Sequence, residues 1–170
     1  MHQPESTQPA AVAGAETPII RPASIADVPT IHHLLEIYAG KGNLLPRTMS
    51  ELYRHLRDFF VIETGHRVVA IGALEIFTED LGEVRSLVVD ADYERRGLGR
   101  LMVERIIAEA REIGLRRVMA LTYVPDFFHK LGFKTVSMGS LPEKVWSVCV
   151  KCYKYNRCDE VAVLFDLKQR

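Results

Sequence analysis

The stretch "DADYERRGLGRLMVERIIAEA", Asp90–Ala110, decides how this chain is read. Gly97 and Gly99 stand two residues apart among Arg95, Arg96 and Arg100, and the loop runs directly into an apolar pattern. Leu98, Leu101, Met102, Ile106, Ala110 and Ile113 fall on one face at helical spacing, and Gly114 marks the helix end. The N–H groups of a helix's first turn have no intrahelical acceptor and lie at the positive end of its dipole, so an anion is favoured there. The glycines remove side chains that would keep a diphosphate off the backbone, and the arginines add positive charge. The same shape also suits a plain turn leading into a helix. It is not a dinucleotide fingerprint, which needs a third glycine, nor a P-loop, which needs Gly-Lys-Ser/Thr.

Upstream of this loop, "FFVIE" from Phe59, "HRVVAIGALEIF" from His66 and "GEVRSLVVD" from Gly82 are rich in β-branched residues and broken by turn signals. They predict an antiparallel meander. Before them, "IIRPAS" at Ile19 reads as a strand. Ser24 and Asp27 then cap a helix bearing Val28, Ile31, Leu34 and Leu35, which ends near "YAGKGN". Thr48 and Glu51 form a capping box for a second helix carrying Leu52, Leu56 and Phe59 or Phe60. Downstream, "RRVMALTYV" predicts a strand, "PDFFHKLGF" a short helix closing on Gly132, and "FKTVS" a strand. "LPEKVWSVC" predicts a helix and "EVAVLFDL" a last strand. The order makes an α+β domain with a mixed, mostly antiparallel sheet of about six or seven strands flanked by helices.

Bulk properties narrow the function classes. A chain of 170 residues has the size of one domain. Lys+Arg 22 against Asp+Glu 22 leaves no net field, so bulk charge argues neither for nucleic acid nor for an anionic membrane, and neither is expected as partner. No apolar run reaches the roughly 18–20 residues of a membrane span. Residues 1–18 have no basic n-region or apolar core and read as a disordered leader, with a single domain over 19–170. Three cysteines near the C-terminus, an odd number, argue against a disulfide scaffold and for the cytoplasm.

The segment "VVDADYERRGLGRLMVERI" resembles the acetyl-CoA-binding motif of the GNAT superfamily of N-acetyltransferases, Q/R-x-x-G-x-G/A after the fourth strand, and "FFHKLGF" is similar to the family's later helix–strand signature. The resemblance spans about Ile19 to Leu167 and implies acetyl-CoA as cosubstrate, with no metal required for catalysis. It implies that Arg95, Arg96, Gly97, Leu98, Gly99 and Arg100 hold the phosphates. Leu87, Val88 and Val89, on a strand splayed from its neighbour, would lie along the pantetheine arm, with Phe128 near the coenzyme. Glu94 occupies the motif's first position in place of Gln or Arg, and Phe128 stands where the superfamily often has a tyrosine acid, which leaves Tyr123 or water to protonate the thiolate.

Further similarity, in "YAGKGNLLPRTMSEL", "GALEIFTEDLGEVRSLVV" and "VMALTYVPDFFHKLGF", is to short single-domain N-acetylglutamate synthases. It implies transfer of acetyl to the α-amine of glutamate or glutamine, the first step of arginine biosynthesis. Two places where long-form synthases carry arginine hold Val124 and Leu131. A free amino-acid acceptor needs a base for its ammonium proton and a cation for its carboxylate. Glu83 is the expected base, ahead of Glu75 and Asp80, and Tyr123 the candidate acid. Lys41, Arg47 and Arg85 are the candidate carboxylate partners. Another small amine or peptide as acceptor, or a non-catalytic acyl-CoA-binding module, are the alternatives.

"CVKCYKYNRCDE" sets Cys149, Cys152 and Cys158 in a C-x2-C-x5-C run. Such a run reads first as free structural thiols, with a structural zinc site completed by Asp159 or a distant histidine, or a redox or intersubunit disulfide, as the alternatives. Trp146 reads as a packing anchor for the C-terminal segment, which leaves a homodimer open.

Overall fold

A computed structural model describes residues 16–42, 44–141, 143, 149–152 and 157–168. Its elements are β1 (Ile19–Pro22), α1 (Val28–Gly40), α2 (Met49–Arg54), β2 (Phe59–Thr64), β3 (Arg67–Ile76), β4 (Leu81–Val89), α3 (Leu98–Glu112), β5 (Arg117–Thr122), α4 (Pro125–His129), β6 (Lys134–Thr135) and β7 (Val161–Asp166). They form a seven-stranded sheet in the order β1-β2-β3-β4-β5-β7-β6. Only β4 and β5 run parallel among these neighbours.

The local signals work as expected at α2, where the Glu51 N–H donates to Thr48 Oγ1 (3.2 Å) and the Glu51 carboxylate accepts from the Thr48 N–H (2.7 Å). That helix ends at Arg54, however, and Phe59 and Phe60 open β2 instead of riding on it. Their ladder to Ala73 and Gly72 of β3 outweighs a further helical turn. The strand expected at "FKTVS" shortens to two residues beside β7. Most of the helix expected at "LPEKVWSVC", with Trp146, lies outside the described residues.

Helices cover both faces of the sheet. Val28, Ile31, Leu34 and Leu35 of α1 and Leu52 of α2 pack on Val61, Ile71, Ala73 and Val88. On the opposite face Met102, Val103, Ile106 and Ala110 of α3 pack on Ile62, Ala70, Leu74 and Val84. Gly72 lets α3 lie close: a Cβ there would stand 2.7 Å from Met102 Cγ.

Two irregularities distinguish β4 from a regular strand. Ile71 pairs with Val88 and Ala73 with Arg85, so Gly72 alone opposes both Ser86 and Leu87. This is a β-bulge, with Ser86 at φ 54°. It flips the alternation: Glu83, Arg85 and Val88 face α1 and α2, while Val84, Leu87 and Val89 face α3. The second is that pairing with β5 runs only from Leu81↔Arg117 to Glu83↔Met119. Its base is held by the Asp80 carbonyl, which accepts from the N–H groups of Arg116 (3.0 Å) and Arg117 (2.8 Å). Beyond Glu83 the two strands part, while β5 continues along β7 to Thr122.

Candidate active site

The parted strands open a cavity of roughly 400 Å³. Glu83, the last residue of β4 paired with β5, lines it and is only 3% exposed. Arg85 lies two residues on, on the same face. Its Nε is 3.6 Å from Glu83 Oε2, and its Nη1 donates to Glu75 Oε2. Arg47, from the turn before α2, places Nη2 3.6 Å from that same Glu75 oxygen, with its guanidinium 5.5 Å from the Phe59 ring centre. The two arginines therefore share one carboxylate oxygen. Burial works against the charge of Arg85, but Glu83 and Glu75 more than offset it and raise its pKa. For Arg47 burial, with the Arg85 charge added, lowers the pKa below the usual value despite Glu75. Arg47 is thus a cation set at the cavity wall with less carboxylate support than Arg85.

Of the remaining expected residues, Tyr123 lines the cavity from the end of β5, its hydroxyl donating to Asp159 Oδ1 (2.9 Å). Leu87 lines it from the bulge. Val88 points into the α1/α2 core, so only its backbone is offered to a ligand. Val89 packs toward α3. Phe128 is buried edge-on between Phe127 and Phe133 and touches the cavity wall. Lys41 is not brought in: it is exposed at the end of α1, with its ammonium 4.6 Å from the Tyr38 ring centre. Asp80 is held by Arg117 (3.1 Å) at the closed end of the strands, which explains a structural carboxylate there. Val124 lines the cavity from an exposed position, and Leu131 packs against the core.

At the loop, Gly97 caps α3 with φ 80°, a left-handed turn suited to glycine. The Leu101 N–H donates to the Gly97 carbonyl (3.0 Å). The amides of Leu98, Gly99 and Arg100 precede that bond and have no intrahelical acceptor. The arginine side chains are engaged locally. Arg96 donates to the Asp92 carbonyl (2.9 Å) and stacks over Tyr93, and Arg100 pairs with Glu104 (2.7 Å). Arg95 is exposed at φ 60°. The backbone, more than the side chains, is what this turn presents to an anion.

Cys149, Cys152 and Cys158, none of them in a disulfide, all line the same cavity together with Glu160. Among the described residues no three His, Cys, Asp or Glu side chains are grouped to hold a metal ion. Residues the sequence did not single out also contribute, namely Tyr38, Ser86, Met138 and Glu160. None carries a local signal, since a bulge and a cavity wall arise from pairing between distant strands. Among the described residues no helix is long and apolar enough to cross a membrane.

The profile of the Acetyltransferase (GNAT) family matches residues 30–133, more than half of the chain. The chain belongs to the GNAT family. A GNAT relative described as an uncharacterized N-acetyltransferase, from Chlorobaculum tepidum, is 37% identical over 145 residues, covering 85% of this chain and 94% of that protein. The amino-acid acetyltransferase of Mycobacterium tuberculosis is 34% identical over 139 residues, 80% of this chain and 79% of the relative. The crystal structure of N-acetylglutamate synthase from Neisseria gonorrhoeae, complexed with coenzyme A and N-acetyl-glutamate, superposes with a TM-score of 0.80 at 29% identity, covering 89% of this chain but 35% of that one. The GNAT profile stops at Phe133, so the three cysteines and Glu160 enter the cavity from outside the matched residues.

Proposed function

We propose that this GNAT protein is an acetyl-CoA-dependent amino-acid N-acetyltransferase of the cytoplasm, acting on the α-amine of L-glutamate or L-glutamine in the first step of arginine biosynthesis. The observation that carries the reading is a buried carboxylate, Glu83, set beside Arg85 where β4 and β5 part, in a cavity that Arg47 also lines. Similarity to the amino-acid acetyltransferase of M. tuberculosis and the N-acetylglutamate synthase of N. gonorrhoeae supports the same acceptor class.

The residues present fit the cosubstrate. The left-handed turn at Gly97 and the amides of Leu98, Gly99 and Arg100 would take a pyrophosphate. The backbone of Leu87–Val89, beyond the last β5 pairing, would take the pantetheine arm. Acetyl-CoA supplies an acetyl group already activated as a thioester.

The chain's own residues bind the acceptor and move its protons. Arg47 meets an acceptor carboxylate, and Arg85 behind it keeps the wall positive. Glu83 takes the proton from the acceptor ammonium, leaving a neutral amine. A backbone N–H at the β4 bulge stabilises the oxygen on which negative charge develops. Phe128 offers no hydroxyl, so Tyr123, held by Asp159, or a water returns a proton to the leaving sulfur.

The test is thiol release from acetyl-CoA across an amine panel. Turnover with glutamate or glutamine supports the proposal. Turnover only with an aminoglycoside, polyamine or peptide moves the acceptor elsewhere. Tight coenzyme A binding with no turnover on any amine would make the protein an acyl-CoA-binding module, the reading that Phe128 in place of a tyrosine favours.

A further inference from the structure

Glu94 places a carboxylate three residues before Gly97, beside a turn built to hold an anion. Left free, that charge would oppose a diphosphate at the α3 N-terminus. In the structure it is not free. Tyr38, near the end of α1, brings its hydroxyl 3.0 Å from Glu94 Oε1 and 2.6 Å from the Val89 carbonyl. One phenolic hydrogen is shared between two acceptors, one on the turn and one at the last residue of β4. Tyr38 also lines the cavity, so this single side chain joins α1, the end of the central strand and the glycine turn.

We infer that Tyr38 is a positioning residue that holds the Glu94 carboxylate away from the phosphate-binding turn and fixes the end of β4 beside it. The inference rests on reading that turn as the pyrophosphate site. Burial, then the hydrogen bond to Glu94, pushes the Tyr38 phenol up to about 12, so it remains a donor throughout the neutral range. Glu94 thereby becomes a conditional feature of the turn. Bonded to Tyr38 it is tolerated; released, it competes with the phosphates by like-charge repulsion over a distance shorter than a Debye length.

A double-mutant cycle tests this, read as dissociation constants for coenzyme A and for pantetheine, which lacks the pyrophosphate. Tyr38→Phe should weaken coenzyme A binding by about fivefold at low salt, the scale of one pair of charges about 4 Å apart in bulk water. The loss should shrink as salt is raised. Glu94→Gln should bind coenzyme A as well as wild type or better. Tyr38→Phe combined with Glu94→Gln should recover most of the loss, because the released group is then neutral. Pantetheine binding should be alike in Tyr38→Phe and the double variant. Equal weakening of coenzyme A in Tyr38→Phe and the double variant would overturn the inference, since only a structural loss through Val89 then remains. If wild type bound coenzyme A no more tightly than pantetheine, the phosphate reading of the turn would itself fall, and the inference with it.

Discussion

Glu83 and Arg47 have opposite jobs in the proposed reaction, and kinetics can separate them. Glu83 is 3% exposed and its carboxylate lies 3.6 Å from the Arg85 guanidinium, so the proton it takes is held inside the cavity. Glu83→Gln keeps the shape and removes the base. It should lower kcat by about 10²–10³-fold with little change in the acceptor KM. An unchanged kcat would remove Glu83 from the chemistry. Arg47, which shares Glu75 with Arg85, should act in binding. Arg47→Ala should raise the acceptor KM roughly tenfold or more while changing kcat less. A loss in kcat alone would mean that Arg47 orders the wall and does not meet the substrate. At this scale the sequence was informative about residue type but not about setting. Glu83 and Arg85 could be picked from "GEVR" as a carboxylate and a cation on one strand face. That Arg85 is engaged by Glu75 and Glu83, leaving Arg47 as the cation with less support, depends on β3 lying alongside, which no local pattern contains.

Elements owe their placement to a few junctions, and the one between β1 and α1 is ionic. Arg21 of β1 pairs with Asp27 (2.7 Å) before α1 and with Glu63 of β2 (3.0 Å). Asp27 also accepts from the Ser24 N–H (2.7 Å). The Arg21 hydrogen bond, followed by those from Ser24 and offset by burial, holds the Asp27 carboxyl at about 2 against an ordinary 3.8. A carboxylate with a depressed pKa stabilises the fold above its unfolded value and loses that contribution as pH falls toward its folded value. Asp27→Asn should therefore cost roughly 1–2 kcal/mol near neutral pH. The gap from wild type, read by urea midpoints, should close between about pH 4 and pH 2. A gap independent of pH would show that the loss is packing and not charge. The capping residues here were visible in the sequence, because capping acts within three or four residues. The β4 bulge was not. Ser86 has no glycine-like signature, and its left-handed turn follows from Gly72 opposing two residues at once.

At the scale of the whole molecule, the cavity joins segments far apart in the chain. The turn before α2, β4, the end of β5 and the stretch before β7 all meet there. The three cysteines are the clearest case: they read as a compact C-x2-C-x5-C motif, yet they sit outside any disulfide and line the cavity that Arg47 and Glu83 also line. Alkylation with iodoacetamide should slow acetyl transfer, and coenzyme A with acceptor present should slow the alkylation. Full activity after complete labelling would place these thiols outside the working cavity. The sequence by itself determined the order of elements, the glycine turn leading into α3 and the family, because periodicity, capping and turn chemistry act over a few residues. Only the tertiary structure decided where β4 leaves β5, that Arg47 and Arg85 but not Lys41 line the cavity, and what Tyr38 does to Glu94. Those depend on strand register and on contacts between residues as far apart as Tyr38 and Glu94, which packing brings within 3.0 Å.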